Sequence, residues 1–211
     1  MQEMQDPMES STVPGTEGYE ENAGQLIARY DNVTFLDKYR PVSHLLPTIS
    51  SAVLDIGAGT GGDAAWLASS GHIVTALEPV AAFRAAGMKA HALANIEWVN
   101  DSLPALSTLG ARPAKYDLIV VAAVWMHLAA KERIEAMGNI SKLLKPGAML
   151  VMSLRHGPAP EGRRIFDVSA NETIDLAMRY QLKLMLSTQA PSVQQQNRQA
   201  GVSWSWIVFE K

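Results

Sequence analysis

Residues 53–63 read Val-Leu-Asp-Ile-Gly-Ala-Gly-Thr-Gly-Gly-Asp, and no other stretch restricts the fold as strongly. A short apolar run breaks into a glycine cluster and then enters a helical pattern at Asp63. A buried strand therefore turns into a helix with almost no side chains in the turn. Glycine accepts positive φ there and lets a ligand lie against the main chain. Glu78 ends the next apolar run, about 20 residues on, the distance at which a carboxylate bonds the two hydroxyls of a ribose. Together these features describe a nucleoside site at the edge of an α/β sheet. Gly57, Gly59 and Gly62 also satisfy G-x-G-x-x-G, so the turn alone leaves the nucleoside open. A phosphate-cradling P-loop is excluded, because no Lys-Ser or Lys-Thr follows Gly62.

The rest of the chain alternates around this turn. Residues 53–56 read as a strand, 63–69 as a helix, 72–77 as a strand, 80–90 as a helix, 96–99 and 116–122 as strands. Residues 129–144 form an amphipathic helix with Ile134, Met137, Ile140, Leu143 and Leu144 on one face. Lys145, Pro146 and Gly147 turn into a strand over 148–154. Strand and helix taking turns predict an open, mostly parallel sheet of about seven strands with helices on both faces, a Rossmann-like α/β fold. The tail breaks the alternation: a helix over 169–180, a strand over 182–186, a polar loop, and a last strand over 202–209. With no helix before it, that last strand is expected to be antiparallel. Helical spacing also predicts two short helices, over 19–30 and 35–46, which make an N-terminal lid over 18–47 ahead of the sheet. Residues 1–17 hold little to bury and are expected to be a disordered arm. The 211 residues are 47% hydrophobic and 18% charged, enough apolar material for one domain over 18–211.

VLDIGAGTG at residues 53–61 resembles motif I of the class I S-adenosylmethionine (SAM)-dependent methyltransferases, small-molecule type. The resemblance continues through Ala76-Leu-Glu78-Pro79, Asn100-Asp-Ser-Leu103, Tyr116-Asp-Leu-Ile-Val-Val121 and Leu143-Leu-Lys-Pro-Gly-Ala148, in order and spacing over residues 50–155. It implies SAM as cofactor and S-adenosylhomocysteine (SAH) as product. In that family Asp55 would sit near the SAM amino group, with Gly57, Ala58, Gly59 and Gly61 under the methionine part. Glu78 and Pro79 would meet the ribose, Asp101, Ser102 and Leu103 the adenine, and Ala122 the cofactor from the end of the fourth strand. Tyr30 would reach it from the lid helices. A NAD(P)-dependent oxidoreductase shares the glycine pattern but finds less support, since no tyrosine here has a lysine four residues on. A non-catalytic SAM-binding regulator also fits the cofactor motifs.

In open α/β sheets ligands lie beyond the carboxyl ends of the strands, which directs attention to Ala123-Val-Trp-Met-His127 and Arg155-His156-Gly157. Methyl transfer from a sulfonium is an in-line displacement that asks the protein to align a nucleophile and, where needed, to take its proton. His127 is the first candidate for that base, because neutral imidazole accepts a proton near pH 7; capping the following helix is the bland alternative. His156 and Arg155 form the second, against a plain surface turn. Arg155, Arg163 and Arg164 offer bidentate donors to an anion, although the last two also read as solvated loop charges. Trp125, Tyr39 and Arg40 are possible roof residues; Trp204 and Trp206 alternate along the last strand and read as core.

Composition narrows the acceptor. A formal net charge of -3 gives no broad basic field for a nucleic-acid backbone, so nucleic acid is disfavoured. With no cysteine, there are no disulfides, thiolate metal sites or cysteine adducts, and no metal is expected. The segment Ala122-Ala-Val-Trp125 lacks the Asn/Asp-Pro-Pro-aromatic motif of adenine-N6 enzymes. An oxygen, nitrogen or sulfur atom of a small molecule is the expected acceptor, with protein or RNA weaker. The acidic, polar first residues and the shortness of the longest apolar run, over 118–126, predict a cytoplasmic chain without a membrane partner, monomeric or a homodimer.

Overall fold

The structure is a computed structural model describing residues 13–30, 33–109 and 114–211, with 28–30 described by backbone alone. Seven strands form one sheet in the order β3-β2-β1-β4-β5-β7-β6. They are β1 Ala52–Ile56, β2 Ile73–Leu77, β3 Ile96–Val99, β4 Tyr116–Ala122, β5 Leu144–His156, β6 Lys183–Pro191 and β7 Ser203–Glu210. The pairs among β1 to β5 are parallel, while β7 runs antiparallel to both β5 and β6. The helices are α1 Ala23–Tyr30, α2 Phe35–Tyr39, α3 Gly62–Ser69, α4 Ala81–Ala90, α5 Ala130–Leu143, α6 Ala170–Arg179 and α7 Gln195–Gln199. The Rossmann-like sheet and its reversed C-terminal strand are those expected from the sequence.

Parallel strands covered on both faces are apolar on both. Along β1, Leu54 and Ile56 join the layer under α5 and α6, while Val53 joins the layer under α2 and α3. β4 does the same, with Ile119 and Val121 in the first layer and Leu118 and Val120 in the second. Phe35 stacks on Trp66 at 3.9 Å and on Tyr39 at 4.1 Å, which docks α2 onto α3. Among the described residues no helix is long and apolar enough to cross a membrane.

Several expectations change in detail. Ile134, placed on the buried face of α5, is 49% exposed, and Arg133 is buried instead. Its guanidinium donates to the Leu128 carbonyl and pairs with Glu172, tying α5 to α6. The 145–147 turn lies inside β5, where pairing with β4 jumps from Tyr116↔Leu144 to Leu118↔Met149 and Gly147 has φ 77°. β6 runs to Pro191, longer than expected, and the polar loop after it contains α7. Residues 13–17, expected in the loose arm, form turns that bring Gly15 beside His127; the rest of the arm lies outside the described residues. Trp125, expected at a pocket roof, is fully buried among core residues.

Gly87 in α4 and Gly61 at the start of α3 share one neighbour. A Cβ at Gly87 would stand 2.2 Å from Trp98 Cη2, and one at Gly61 2.6 Å from the same atom. Trp98 of β3 therefore wedges between the two helices through places only glycine leaves open. Gly87→Ala is expected to lower stability by about 1–3 kcal/mol, the usual cost of overpacking, seen as a lower urea midpoint with an unchanged slope.

Candidate active site

β1 is flanked by β2 on one side and β4 on the other, so the chain leaves the sheet in opposite directions there. Such a switch point opens a crevice at the carboxyl ends of the strands. A cavity of about 940 Å³ occupies it. Of the residues expected at a site, Asp55, Gly57, Ala58, Gly59, Glu78, Pro79, Ser102, Leu103, Ala122, His127 and Arg155 all line it.

The turn after β1 is held by Leu77 of β2, whose carbonyl accepts from the amides of Gly57 at 2.8 Å and Ala58 at 3.0 Å. Gly57 has φ 72° and would put a Cβ 2.4 Å from Val124 Cγ2, so a side chain is excluded twice. Gly59 has open space at its Cβ position, and its amide donates to Glu78 Oε2 at 2.8 Å. Glu78 Oε1 accepts from the Val80 amide at 2.8 Å. The Glu78 carboxylate is thus fixed by two backbone donors, while each oxygen keeps a lone pair for a ligand hydroxyl. Burial raises the Glu78 pKa, and the Val80 and Gly59 amides oppose the rise.

Asp55 is 2% exposed, and its Oδ2 has no hydrogen-bond partner. Burial, then the nearby Asp63 carboxylate, push its pKa up to about 8. Lys38 and Tyr39 of α2 both donate to Asp63 Oδ2, so the lid anchors on α3 directly behind this carboxyl. A buried carboxyl with an orphaned oxygen fits a ligand ammonium, and the bare glycine turn fits a chain passing beneath it. The residues present suit SAM.

His127 lies in the short 3-10 turn Trp125–His127 after β4 and is 7% exposed. Its Nδ1 stands 2.6 Å from the Arg164 carbonyl oxygen. A carbonyl only accepts, so Nδ1 carries the proton, and in the neutral ring Nε2 is a bare acceptor. The Tyr19 hydroxyl, 3.0 Å from Nε2, donates to it. Burial lowers the His127 pKa, and the charges of Arg163 and Arg155 lower it further, against the raising effect of the Arg164 carbonyl. Burial raises that of Tyr19, opposed chiefly by Arg163. The loop holding the Arg164 carbonyl is clamped: Arg164 pairs with Glu132 at 3.0 Å, and the Phe166 amide donates to the Met126 carbonyl at 2.8 Å. Glu132 also accepts from the Ala129 amide at the start of α5.

Three expected site residues lie elsewhere. Gly61, at φ 81°, begins α3 and faces Trp98 rather than the cavity. Asp101 turns its carboxylate into its own loop, accepting from the amides of Ser102, Ser107 and Thr108. His156 lies on the opposite sheet face from Arg155, because successive strand residues alternate; its Nε2 meets Ser205 Oγ at 2.8 Å. The Tyr30 side chain lies outside the described residues. Tyr39 is fully buried against Asp63. Arg163, read as a loop charge, lies over the Tyr19 ring at 3.6 Å and lines the cavity. Tyr19 itself carried no local signal, being 108 residues from its partner.

Residues 53–147 match a family model described as a methyltransferase domain. This segment is similar to methyltransferase domains. Solved structures share the fold of this chain. A TehB-like SAM-dependent methyltransferase from Corynebacterium glutamicum is 22% identical with TM-score 0.68, over 92% of this chain and 98% of that one. The 1,6-didemethyltoxoflavin-N1-methyltransferase of Burkholderia thailandensis, with 1,6-didemethyltoxoflavin and SAH bound, is 19% identical with TM-score 0.66, over 98% and 92%. A SAM-dependent methyltransferase from Mesorhizobium loti is 13% identical with TM-score 0.69, over 86% and 99%. Comparison with curated proteins gives no match.

With its pKa at about 8, Asp55 is largely protonated in the free protein at pH 7. Binding a ligand ammonium favours the carboxylate, so SAM binding is expected to release up to about one proton at pH 7 and almost none at pH 9. Calorimetry in buffers of different ionisation enthalpy measures this. Because the native state holds this proton to higher pH than the unfolded chain, Asp55 costs stability increasingly as pH rises from its usual value toward 8. Asp55→Asn is therefore expected to raise the melting temperature at pH 8 by about 2 °C or more while weakening SAM. Glu78→Ala is expected to weaken SAM by about 1–3 kcal/mol, read in the same titration.

Proposed function

We propose that the protein transfers the methyl group of SAM to an oxygen, nitrogen or sulfur atom of a small-molecule acceptor. The observation that carries this reading is the joining, in one cavity, of the donor motifs around Asp55 and Glu78 with a chamber that holds the Tyr19–His127 pair. A volume of about 940 Å³ suits a nucleoside donor with a small acceptor beside it, at the upper end of ligand sites of about 300–1,000 Å³. Residues 13–16 lie across the chamber, which also favours an acceptor of small size.

Asp55 is assigned to the ammonium of the donor, the 57–59 backbone to its methionine part, Glu78 to the ribose hydroxyls, and Ser102 with Leu103 to the adenine edge. SAM supplies a methyl carbon already activated by a positively charged sulfur. With SAM bound, an acceptor lone pair would bond to that carbon while the carbon–sulfur electron pair stayed on sulfur. The proton lost by the acceptor passes to the Tyr19 oxygen while the Tyr19 proton moves to His127 Nε2. Buried and held neutral, His127 is ready to receive it. The Glu132–Arg164 pair keeps the ring in the correct tautomer by fixing the carbonyl that Nδ1 contacts.

Parallel titrations with SAM, SAH and NAD, followed by transfer of labelled methyl from SAM to fractionated small metabolites, test the reading. Binding of SAM and SAH without NAD, with label entering a small molecule, supports it. Binding of NAD alone returns the oxidoreductase reading, and SAM binding without turnover on any fraction points to a regulator. With an acceptor in hand, His127→Ala and Tyr19→Phe are each expected to lower methyl transfer by about a hundredfold with SAM affinity kept. The acid limb of the wild-type rate profile should fall below about pH 6.5, because the His127 pKa lies under its usual value. Full activity in His127→Ala would remove the pair from the mechanism.

A further inference from the structure

Three arginines that line the cavity, Arg155, Arg163 and Arg198, have no carboxylate partner among the described residues, and Arg198 donates instead to the Ser192 and Val193 carbonyls. Among the described residues Arg40, Arg133 and Arg164 each pair with a carboxylate, but neither Arg155 nor Arg163 has one within ion-pair distance. Both line the cavity and both are half-buried. The cavity's own carboxylates, Asp37, Asp55, Asp63 and Glu78, belong to α2, β1, α3 and the turn after β2, where the donor motifs lie. Lys38 and Arg40 pair with Asp63 and Asp37 at the donor end, while Arg155 and Arg163 lie near Tyr19 and His127, where Glu17 and Glu78 also act.

The two guanidiniums also flank the Tyr19–His127 pair. The Arg163 guanidinium carbon lies 3.6 Å from the Tyr19 ring centroid, and its charge and hydrogen bonding act on the Tyr19 hydroxyl. Arg155 extends from the end of β5 on the same face as Ser153, and it gives one long hydrogen bond, 3.3 Å, to the Gly157 carbonyl. Each acts electrostatically on both Tyr19 and His127, so the two cations share one neighbourhood. Unpaired half-buried cations of like sign are costly. A planar guanidinium fork is the group best matched to a carboxylate or phosphate.

We propose that the methyl acceptor carries an anionic group, a carboxylate or a phosphate monoester, which Arg155 and Arg163 hold beside Tyr19 and by which the enzyme selects it. This rests on the acceptor chamber assigned above. With the anion on the arginines, the reacting heteroatom lies toward the Tyr19 hydroxyl and the donor loop. A neutral analogue lacking the anion leaves both guanidiniums unpaired and is rejected.

The test follows the arginine Nε–H resonances of the SAH-loaded, isotope-labelled protein during titration with benzoate, phenyl phosphate and neutral benzamide. Saturable shifts of Arg155 and Arg163 at about millimolar concentration with at least one anion, and none with benzamide, are expected; the tighter anion shows whether carboxylate or phosphate is preferred. Arg155→Gln, which leaves the Arg163–Tyr19 contact in place, is expected to weaken that anion by about tenfold with SAH affinity unchanged. SAH binding with no saturable anion shift, or with equal binding of benzamide, overturns the anionic acceptor while the methyltransferase reading stands. Failure of SAH to bind overturns both.

Discussion

β1 ends in the middle of the sheet with covered strands on either side, and its last polar side chain, Asp55, has no partner for one oxygen. Ionising a carboxyl in such a place is unfavourable, and the free protein avoids the cost by keeping the proton to about pH 8. The neighbouring construction depends on that carboxyl staying in place. Asp63 is held by Lys38 and Tyr39, so the negative charge behind Asp55 is compensated from the lid. The glycine turn hangs from the Leu77 carbonyl, which brings Gly59 to Glu78 and sets two carboxyls along one groove. In the proposed reading a cationic ammonium and a ribose would complete this arrangement at opposite ends.

The second half of the site obeys a different rule. Its histidine is held by a carbonyl from a loop that has no regular structure, and the loop is rigid only where Glu132 and the Met126 carbonyl grip it. In the proposed reading donor recognition comes from the sheet and its first turns, whereas the acceptor chamber is assembled from connections: the turn after β4, the loop after β5 and the 13–19 segment. Changes to the acceptor chamber can leave the donor groove intact, which suits a fold that serves many substrates.

The donor half was legible because its signals are local. Glycines in a turn and a carboxylate one strand later lie within one stretch of chain, and the strand and helix order around them follows from periodicity. The acceptor half was partly hidden. His127 showed as a polar residue after a buried strand, but Tyr19 is its partner only through the fold. Arg155 and His156 were read as a pair, and the two-residue period of a strand separates them onto opposite faces. Ile134 was assigned to the buried face of α5 although Arg133, one residue earlier, takes the buried place by meeting Glu172. Gly61 counted as a ligand glycine, yet its lack of a side chain makes room for an indole from β3.

Tyr19 belongs to a segment that precedes every strand, and in the proposed mechanism it would supply the outer half of the proton path. In the proposed path the acceptor's proton would meet this N-terminal segment before it met anything carried by the sheet, so changing Tyr19 would alter the relay and leave the donor groove whole.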